Sequence, residues 1–526
     1  MLRRLLLLVM IVVGSPVWAA YDTTAYREYT YGRSPDRYCD PTKSLSDNTG
    51  DGLTEDSAAW NMNQCMTQPS VSGFASPGII VGIMPVGAGT PVRIADPADH
   101  ATPAFNPTNE GTSDTARIIY VAKYGAIALA MADRAGIASN TLRAEIRFTT
   151  TTDQVEYGAS PTGPVYGSFQ RDYITYDGLF VDMAQNGFHN DSGVIRADGG
   201  STSTYVVGVQ FLNFVIKGKT LDCDSNCVIW RPNFATDTVL RNFLAYDFIN
   251  VPTSGGGADL NQDGLFSDQY SDHNFLIEYF WLDNVGQAGL FVKGSTDGLH
   301  NWGTIRYGIV SRTSRCIMVN DLHGTTVTEI HHNLCYLNGY DGAGGGIEFH
   351  AITSATGAVS VHHNTIARVA TNTADIEGCI FNDKPLGFSA STITIQDNIC
   401  DLDSGGSWGH QISICCSATA PTTLDYNAYY ENGGTRTWTF DSVEYNDFTT
   451  WKAAIGRDAN SILLSTTPFV DRANNDFTIS PGHAVLTASS TGGELGAYEG
   501  SIDPGPDTTA ASGSGGARFG LWNLRR

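Results

Sequence analysis

Four polar residues recur at one position of a repeated strand phrase: Lys293, Asn320, His350 and Asn382. Three phrases begin at or near glycine: Gly289-Leu290-Phe291-Val292-Lys293, Gly346-Ile347-Glu348-Phe349-His350 and Gly378-Cys379-Ile380-Phe381-Asn382. Cys316-Ile317-Met318-Val319-Asn320 fits between them. With Leu290, Ile317, Ile347 and Cys379 pointing inward, strand alternation turns the residue three further on outward, so the four stack about 4.8 Å apart on one outer face. Glu348 shares that face, and Asp321, His323, Asp383 and Lys384 lie just beyond it.

Such a column suits β-elimination from a uronic acid, which needs hydrogen bonds or a cation on the carboxylate, a base for the C5 proton and an acid for the leaving oxygen. Lys293 or His350 is the candidate base, because burial and neighbouring charges tune such groups toward neutrality. Asn320 and Asn382 are candidates to hold the carboxylate, with Asp321, His323, Asp383 and Lys384 completing the substrate-binding set. The alternative is a glycosidase in which Glu348 pairs with Asp321 or Asp383. Spacing along the chain does not give the carboxylate separation, so both reactions stay open.

A second set of oxygen donors, Asp259, Asn261, Asp263, Leu265 and Asp268, follows the first part of a calcium loop, with Gly264 at its sixth position. The twelfth position is Tyr270, where such a loop needs a carboxylate; Asp268 or Asp272 is the substitute. Calcium is the cofactor this implies. Asp47, Thr49 and Asp51 form a weaker echo, read as a helix-entry turn. His331, His332, His362 and His363 invite a metal reading as well. Adjacent strand residues point to opposite faces, which makes stacked surface or turn positions the better expectation.

The elements that must position these residues follow from four asparagines. Asn333, Asn364, Asn398 and Asn427 close near-copies of one phrase at spacings of 31, 34 and 29 residues. Three residues earlier stand Ile330, Val361, Ile395 and Leu424, each between polar neighbours, and two residues later Cys335, Ile366, Cys400 and Tyr429. Alternation on both sides of a bend predicts strand, turn and strand, with asparagine accepting the left-handed turn angles and stacked amides satisfying one another. Hairpins repeat every 8 to 12 residues or so, whereas a period near 30 describes one turn of a solenoid. Earlier strands are predicted within 111–126, 173–179, 205–216, 238–248, 274–282 and 304–310. Thr54 is the predicted N-cap of a helix carrying Ala59, Trp60 and Met62 or Met66, which would close the open end of the coil.

Three signatures then make the chain similar to the right-handed parallel β-helix proteins of the pectate-lyase-like superfamily. They are Gly50-Asp51-Gly52-Leu53-Thr54-Glu55-Asp56-Ser57, the His-His-Asn-Leu and His-His-Asn-Thr strand endings, and a closing segment. That segment contains Asp458-Ala459-Asn460-Ser461-Ile462, Pro468-Phe469-Val470, Asp476-Phe477 and Leu495-Gly496-Ala497-Tyr498-Glu499. The resemblance spans about residues 47 to 500 and implies an all-β, right-handed parallel β-helix with a short N-terminal capping helix. It leaves the reaction open, since this scaffold hosts lyases, hydrolases, epimerases, esterases and adhesins. One lyase group of this fold, resembling chondroitinase B, uses lysine, arginine and calcium. Lys293 with Arg312 or Arg315 offers a similar spacing, but the Arg-His-Gly strand of that group is absent.

Arg3 and Arg4, the apolar run from Leu5 to Val13 and the small residues before Ala20 read as a signal peptide over 1–19. A 20–46 extension, the 47–500 coil with its closing segment from about 432, and a Pro-, Gly- and Ser-rich 501–526 tail follow. The tail reads as a flexible linker or an attachment peptide for a surface or partner. Net charge is -23, which argues against nucleic acid, and no later stretch is apolar enough to span a membrane. Ten cysteines in an exported chain permit disulfides, with Cys39–Cys65 and Cys223–Cys227 as the expected pairs and Cys335 and Cys400 as small core residues. The reading is a secreted polysaccharide-binding protein, a lyase ahead of a glycoside hydrolase, with a non-catalytic adhesin or filament protein as the alternative.

Overall fold

The computed structural model describes residues 31, 33–74, 78–84, 105–122, 145–146, 166–178, 180–182, 195–201, 204–217, 228–248, 265–285, 288–293, 302–320, 326–338, 345–350, 358–370, 377–382, 393–403, 409–414, 421–433 and 436–497. Most of them form one large sheet whose pairings are parallel throughout, except where Val443–Tyr445 turns back on Thr437–Phe440. The chain visits three ladders in turn and then returns to the first, one coil further on. The first ladder includes Val327–His331, Ala358–His362, Ile393–Gln396 and Thr423–Asp425. The second carries Leu334–Tyr336, Thr365–Ala370, Ile399–Asp403 and Ala428–Asn432. The third carries Ala288–Lys293, Arg315–Asn320, Gly345–His350, Glu377–Asn382 and Gly409–Ile414. This all-β arrangement is consistent with a parallel β-helix.

Register follows from which side chains the coil must bury. Ile305, Ile330, Val361, Ile395 and Leu424 stack in one interior row of the first ladder. Val310, Cys335, Ile366, Cys400 and Tyr429 form the matching row of the second. Each buried aliphatic side chain contributes about 2 kcal/mol relative to exposure, and a one-residue slip would turn a whole strand inside out. Both rows are those expected from the asparagine phrases. The predicted early strands appear as Arg117–Ala122, Ile174–Asp177, a broken series between Val206 and Lys217, Val239–Phe248, Leu265–Val285 and Trp302–Ser311.

The bend itself differs from expectation. The left-handed residues are those before the asparagines, His332, His363, Asp397 and Tyr426, with φ between 51° and 59°. Each asparagine instead points inward and is fully buried. The Nδ2 of Asn333 donates to Asn364 Oδ1, Asn364 to Asn398 and Asn398 to Asn427, each at 3.1 Å. The backbone N–H of each of the three donates to the same oxygen at 2.9–3.0 Å. Turn amides that strand pairing leaves open are thereby satisfied by the next coil. Gly308 N–H donates to Asn333 Oδ1 at one end, and Asn427 N–H to Ser461 Oγ at the other. N-terminal to Gly308 the row becomes aromatic: Phe214 stacks on Phe243 at 4.6 Å and Phe243 on Phe280 at 5.5 Å. A Cβ on Gly308 would come 2.0 Å from Phe280 Cζ, so only glycine fits where the two halves join.

Helix α1, Met62–Thr67, packs Met62 and Cys65 onto the first coils. Its cap is Asn61, which accepts from Gln64 N–H in a reciprocal capping box, and not Thr54. Thr54 instead donates to Asp56 in the turn before it. Helix α2, Phe448–Ile455, lays Trp451 against Trp438 at 6.4 Å in the core of the last coils. Residues 464–497 then run back over the second ladder, where Leu464, Phe469, Phe477, Val485 and Leu495 cover Leu334, Ala367, Ile399 and Ala428.

Cys39 and Cys65 are bonded as expected. Cys335 is not a lone core residue: it is bonded to Cys316 on the neighbouring ladder. Cys400 is a free, buried thiol, and Cys223 and Cys227 lie outside the described residues. Among the described residues no helix is long and apolar enough to cross a membrane.

Candidate functional site

Three consecutive coils place Lys293, Asn320 and His350 at one register position, at the ends of their strands. The strands around them are held by the interior pairs Leu290, Ile317 and Ile347, all fully buried. Asn320 is partly exposed. Asp321, His323, Asp383 and Lys384 lie outside the described residues.

Asn382 leaves the column. It pairs with Phe349 and Ile414, both interior, and is fully buried in that row. The expected register set Cys379 beside Ile347, whereas Ile380 stands there. The reason is the glycine run Gly344-Gly345-Gly346, which offers two alignments; the strand takes the one that pairs Gly345 with Gly378. Strand alternation then carries Asn382 inward.

Glu348 stays on the outer face but is not open to solvent. It is fully buried in the row Phe291, Met318, Glu348, Phe381 and Ser413, and it forms an ion pair with Arg315, itself nearly buried. A buried carboxylate paired in this way is committed to its partner, and losing either one would leave a buried charge uncompensated. Arg312 is also engaged, its Nε donating to Asp283 Oδ1 at 2.7 Å. Neither arginine suggested as a partner of Lys293 is therefore an uncommitted cation.

The calcium loop does not run its full length as a loop. Leu265 and Asp268 belong to the long strand Leu265–Val285 and pair with Ala288 and Phe291. Strand pairing holds that backbone extended, whereas a calcium loop must curl its later donors back around the ion. Asp259, Asn261 and Asp263 lie outside the described residues. Among the described residues no group of three or more His, Cys, Asp or Glu side chains could hold a metal ion.

The corner after the first ladder gathers more polar side chains than sequence reasoning assigned to it. Left-handed geometry at His332 and His363 turns each ring toward its neighbour, so that adjacent histidines do not diverge. The Nδ1 atoms of His331 and His332 lie 2.7 Å apart and those of His362 and His363 3.0 Å apart. Across coils, His331 stacks on His362 at 4.8 Å and His332 on His363 at 5.1 Å. Tyr307 stacks on Tyr279 at 5.2 Å in the same left-handed row, and Glu278 bridges Arg241 and Arg306 in the row beside it. Burial, with the charge of His332, His362 and Arg306, pulls the His331 imidazole down to about 2, so it is neutral at any ordinary pH. The hydrogen bond from His362 holds the Glu329 carboxyl below its usual range. The signal for this corner was present in the sequence as the residue before each asparagine. The ring nitrogens are turned to one another and, at His362 and His363, to Glu329 and Asp397, so the strip is a stacked polar seam.

Two recesses, of about 700 and 490 Å³, belong to the first coils and share Ser70 and Ser72. Arg171 and Glu110 line the larger, and Arg37 and Trp60 the smaller. Neither includes the column.

No family model matches the chain, and no curated protein matches it.

Proposed function

We propose that the chain is an exported right-handed parallel β-helix that binds an extracellular uronic-acid polysaccharide and cleaves it by β-elimination. The observation that carries this reading is the in-register column Lys293, Asn320 and His350 in three consecutive coils. Coil spacing of about 4.8 Å is close to the rise of a sugar unit, so groups one coil apart address neighbouring parts of one glycan. Lys293 or His350 takes the C5 proton and Asn320 hydrogen-bonds the carboxylate, while the Glu348–Arg315 pair ties adjacent strands together. Hydrolysis by paired carboxylates is the weaker reading, because Glu348 is already committed to Arg315. The disulfides favour an oxidising, extracellular setting. Calcium held by Asp259, Asn261 and Asp263, ahead of the strand that begins at Leu265, would answer the net charge of -23 that otherwise repels a polyanion.

The test incubates the full chain with a panel of uronic glycans, with and without a chelator, and follows ultraviolet absorbance of the unsaturated product. Lys293→Met and His350→Gln should each lower turnover at least about 100-fold if the residue is the base. New reducing ends without the absorbance would replace elimination by hydrolysis. Neither signal on any glycan would favour a non-catalytic rod.

A further inference from the structure

Two facing interior rows form the corner between the third and second ladders. Register brackets Gly289, Cys316, Gly346 and Cys379 in one row of the third ladder. The facing row of the second ladder is Val310, Cys335, Ile366 and Cys400. Coil by coil, the occupants alternate. A Cβ on Gly289 would come 2.5 Å from Val310 Cγ1, so the valine fills the space beside the glycine. In the next coil Cys316 and Cys335 are bonded. In the coil after, Gly346 stands beside Ile366, whose Cγ2 would lie 2.7 Å from an added Cβ. Then come Cys379 and Cys400, both fully buried, with their thiols in side-chain contact. Over these four coils the corner holds either a glycine with a branched aliphatic residue or two cysteines, and the next coil carries Gln411 and Tyr429.

We propose that Cys379 and Cys400 form a third disulfide, equivalent in register to Cys316–Cys335 two coils earlier and closed by exchange with a small-molecule disulfide during folding. The Cys379 thiolate attacks one sulfur of that oxidant, releasing one thiol and leaving a mixed disulfide. The Cys400 thiolate then displaces the second thiol. Two electrons pass from the cysteines to the oxidant, and their two protons end on the released thiols. Burial raises the Cys379 thiol well above its ordinary range, so the packed coil holds little thiolate and exchange belongs to the folding chain. The inference does not depend on the glycan reading.

The test refolds the full chain with oxidised glutathione or in reductant, alkylates it under denaturing conditions and maps the peptides. A linked Cys379–Cys400 peptide is expected with oxidised glutathione, and two alkylated cysteines in reductant. Recovery of both as alkylated thiols alongside a linked Cys316–Cys335 peptide would overturn the proposal. The double variant Cys379→Gly/Cys400→Ile copies the intervening coil and should fold. It should lose that part of the wild-type rise in Tm on oxidation which the third bond provides; an unchanged rise in the variant counts against the bond.

Discussion

At the scale of the residue, the buried asparagines are the most demanding positions in the coil. Asn364 alone donates to Ile330 O at 2.8 Å and His362 O at 3.0 Å and accepts both the backbone and side-chain N–H of Asn333. Its replacement by alanine leaves several buried groups without partners, each costing about 1–3 kcal/mol. Asn364→Ala should therefore lose at least about 3 kcal/mol, with the backbone amide of Asn333 exchanging with deuterium well before those two coils away; an unchanged exchange rate there would contradict the amide ladder. His410 is a second such residue. Its Nδ1 lies 3.0 Å from Thr439 Oγ1, and burial pulls the imidazole from 6.5 to about 4. The unfolded chain takes the proton first as pH falls, so the stability of the neutral form is complete above about 6.5 and is lost down toward about 4. The advantage of wild type over His410→Gln should shrink by about 1.4 kcal/mol per pH unit across that window, read from thermal melts of both. Asp458, which burial raises to about 6, titrates in both proteins and cancels from the comparison.

At the scale of the element, two junctions hold the stacking together. Gly308 separates the phenylalanine stack from the asparagine ladder, and Gly308→Ala forces its Cβ into the Phe280 ring. Overpacking of this kind costs about 1–3 kcal/mol, and Phe280→Leu should recover part of the loss in Tm if the ring is the cause. The returning segment is pinned by Arg472, which donates to Asp401 at 2.7–2.9 Å and pairs with Asp403 at 2.6 Å. Burial raises the Asp401 carboxyl to about 6 even against that guanidinium. Without the arginine, an ionised Asp401 stands buried and unpaired, but a protonated one does not. Arg472→Ala should therefore lower Tm more at pH values well above 6 than well below it, where Asp401 is neutral. An equal loss at both would mean that the pair does not anchor the segment.

At the scale of the whole molecule, each surface of the coil has its own assignment. The second ladder is covered by 464–497, the corner after the first carries the stacked histidines and tyrosines, and the third carries the candidate column. The last carries Lys293, Asn320 and His350 in register, and the glycan assay tests that column. How much of this was legible in the chain depends on range. Ile330, Val361, Ile395 and Leu424 could be aligned before any fold was known, because two-residue alternation and a near-constant repeat fix their register together. The Cys316–Cys335 bond was not legible, since its partners lie on different ladders and only coil closure brings them together. The cap at Asn61 is not legible in the chain, because Thr54 suits an N-cap as well and the choice rests on where Gln64 can reach back.

The repeat length, the inward rows and the presence of stacked asparagines were determined by sequence alone, since each needs only local alternation and a residue type recurring at one place. Tertiary structure alone decided where the glycine run 344–346 sets the next strand, and so sent Asn382 inward and left Lys293, Asn320 and His350 as the column. It also decided that Glu348 is spent on Arg315. Both outcomes have one physical cause: a coil selects register by what its neighbouring coils can pack, and a side chain's availability by which partner that register puts beside it.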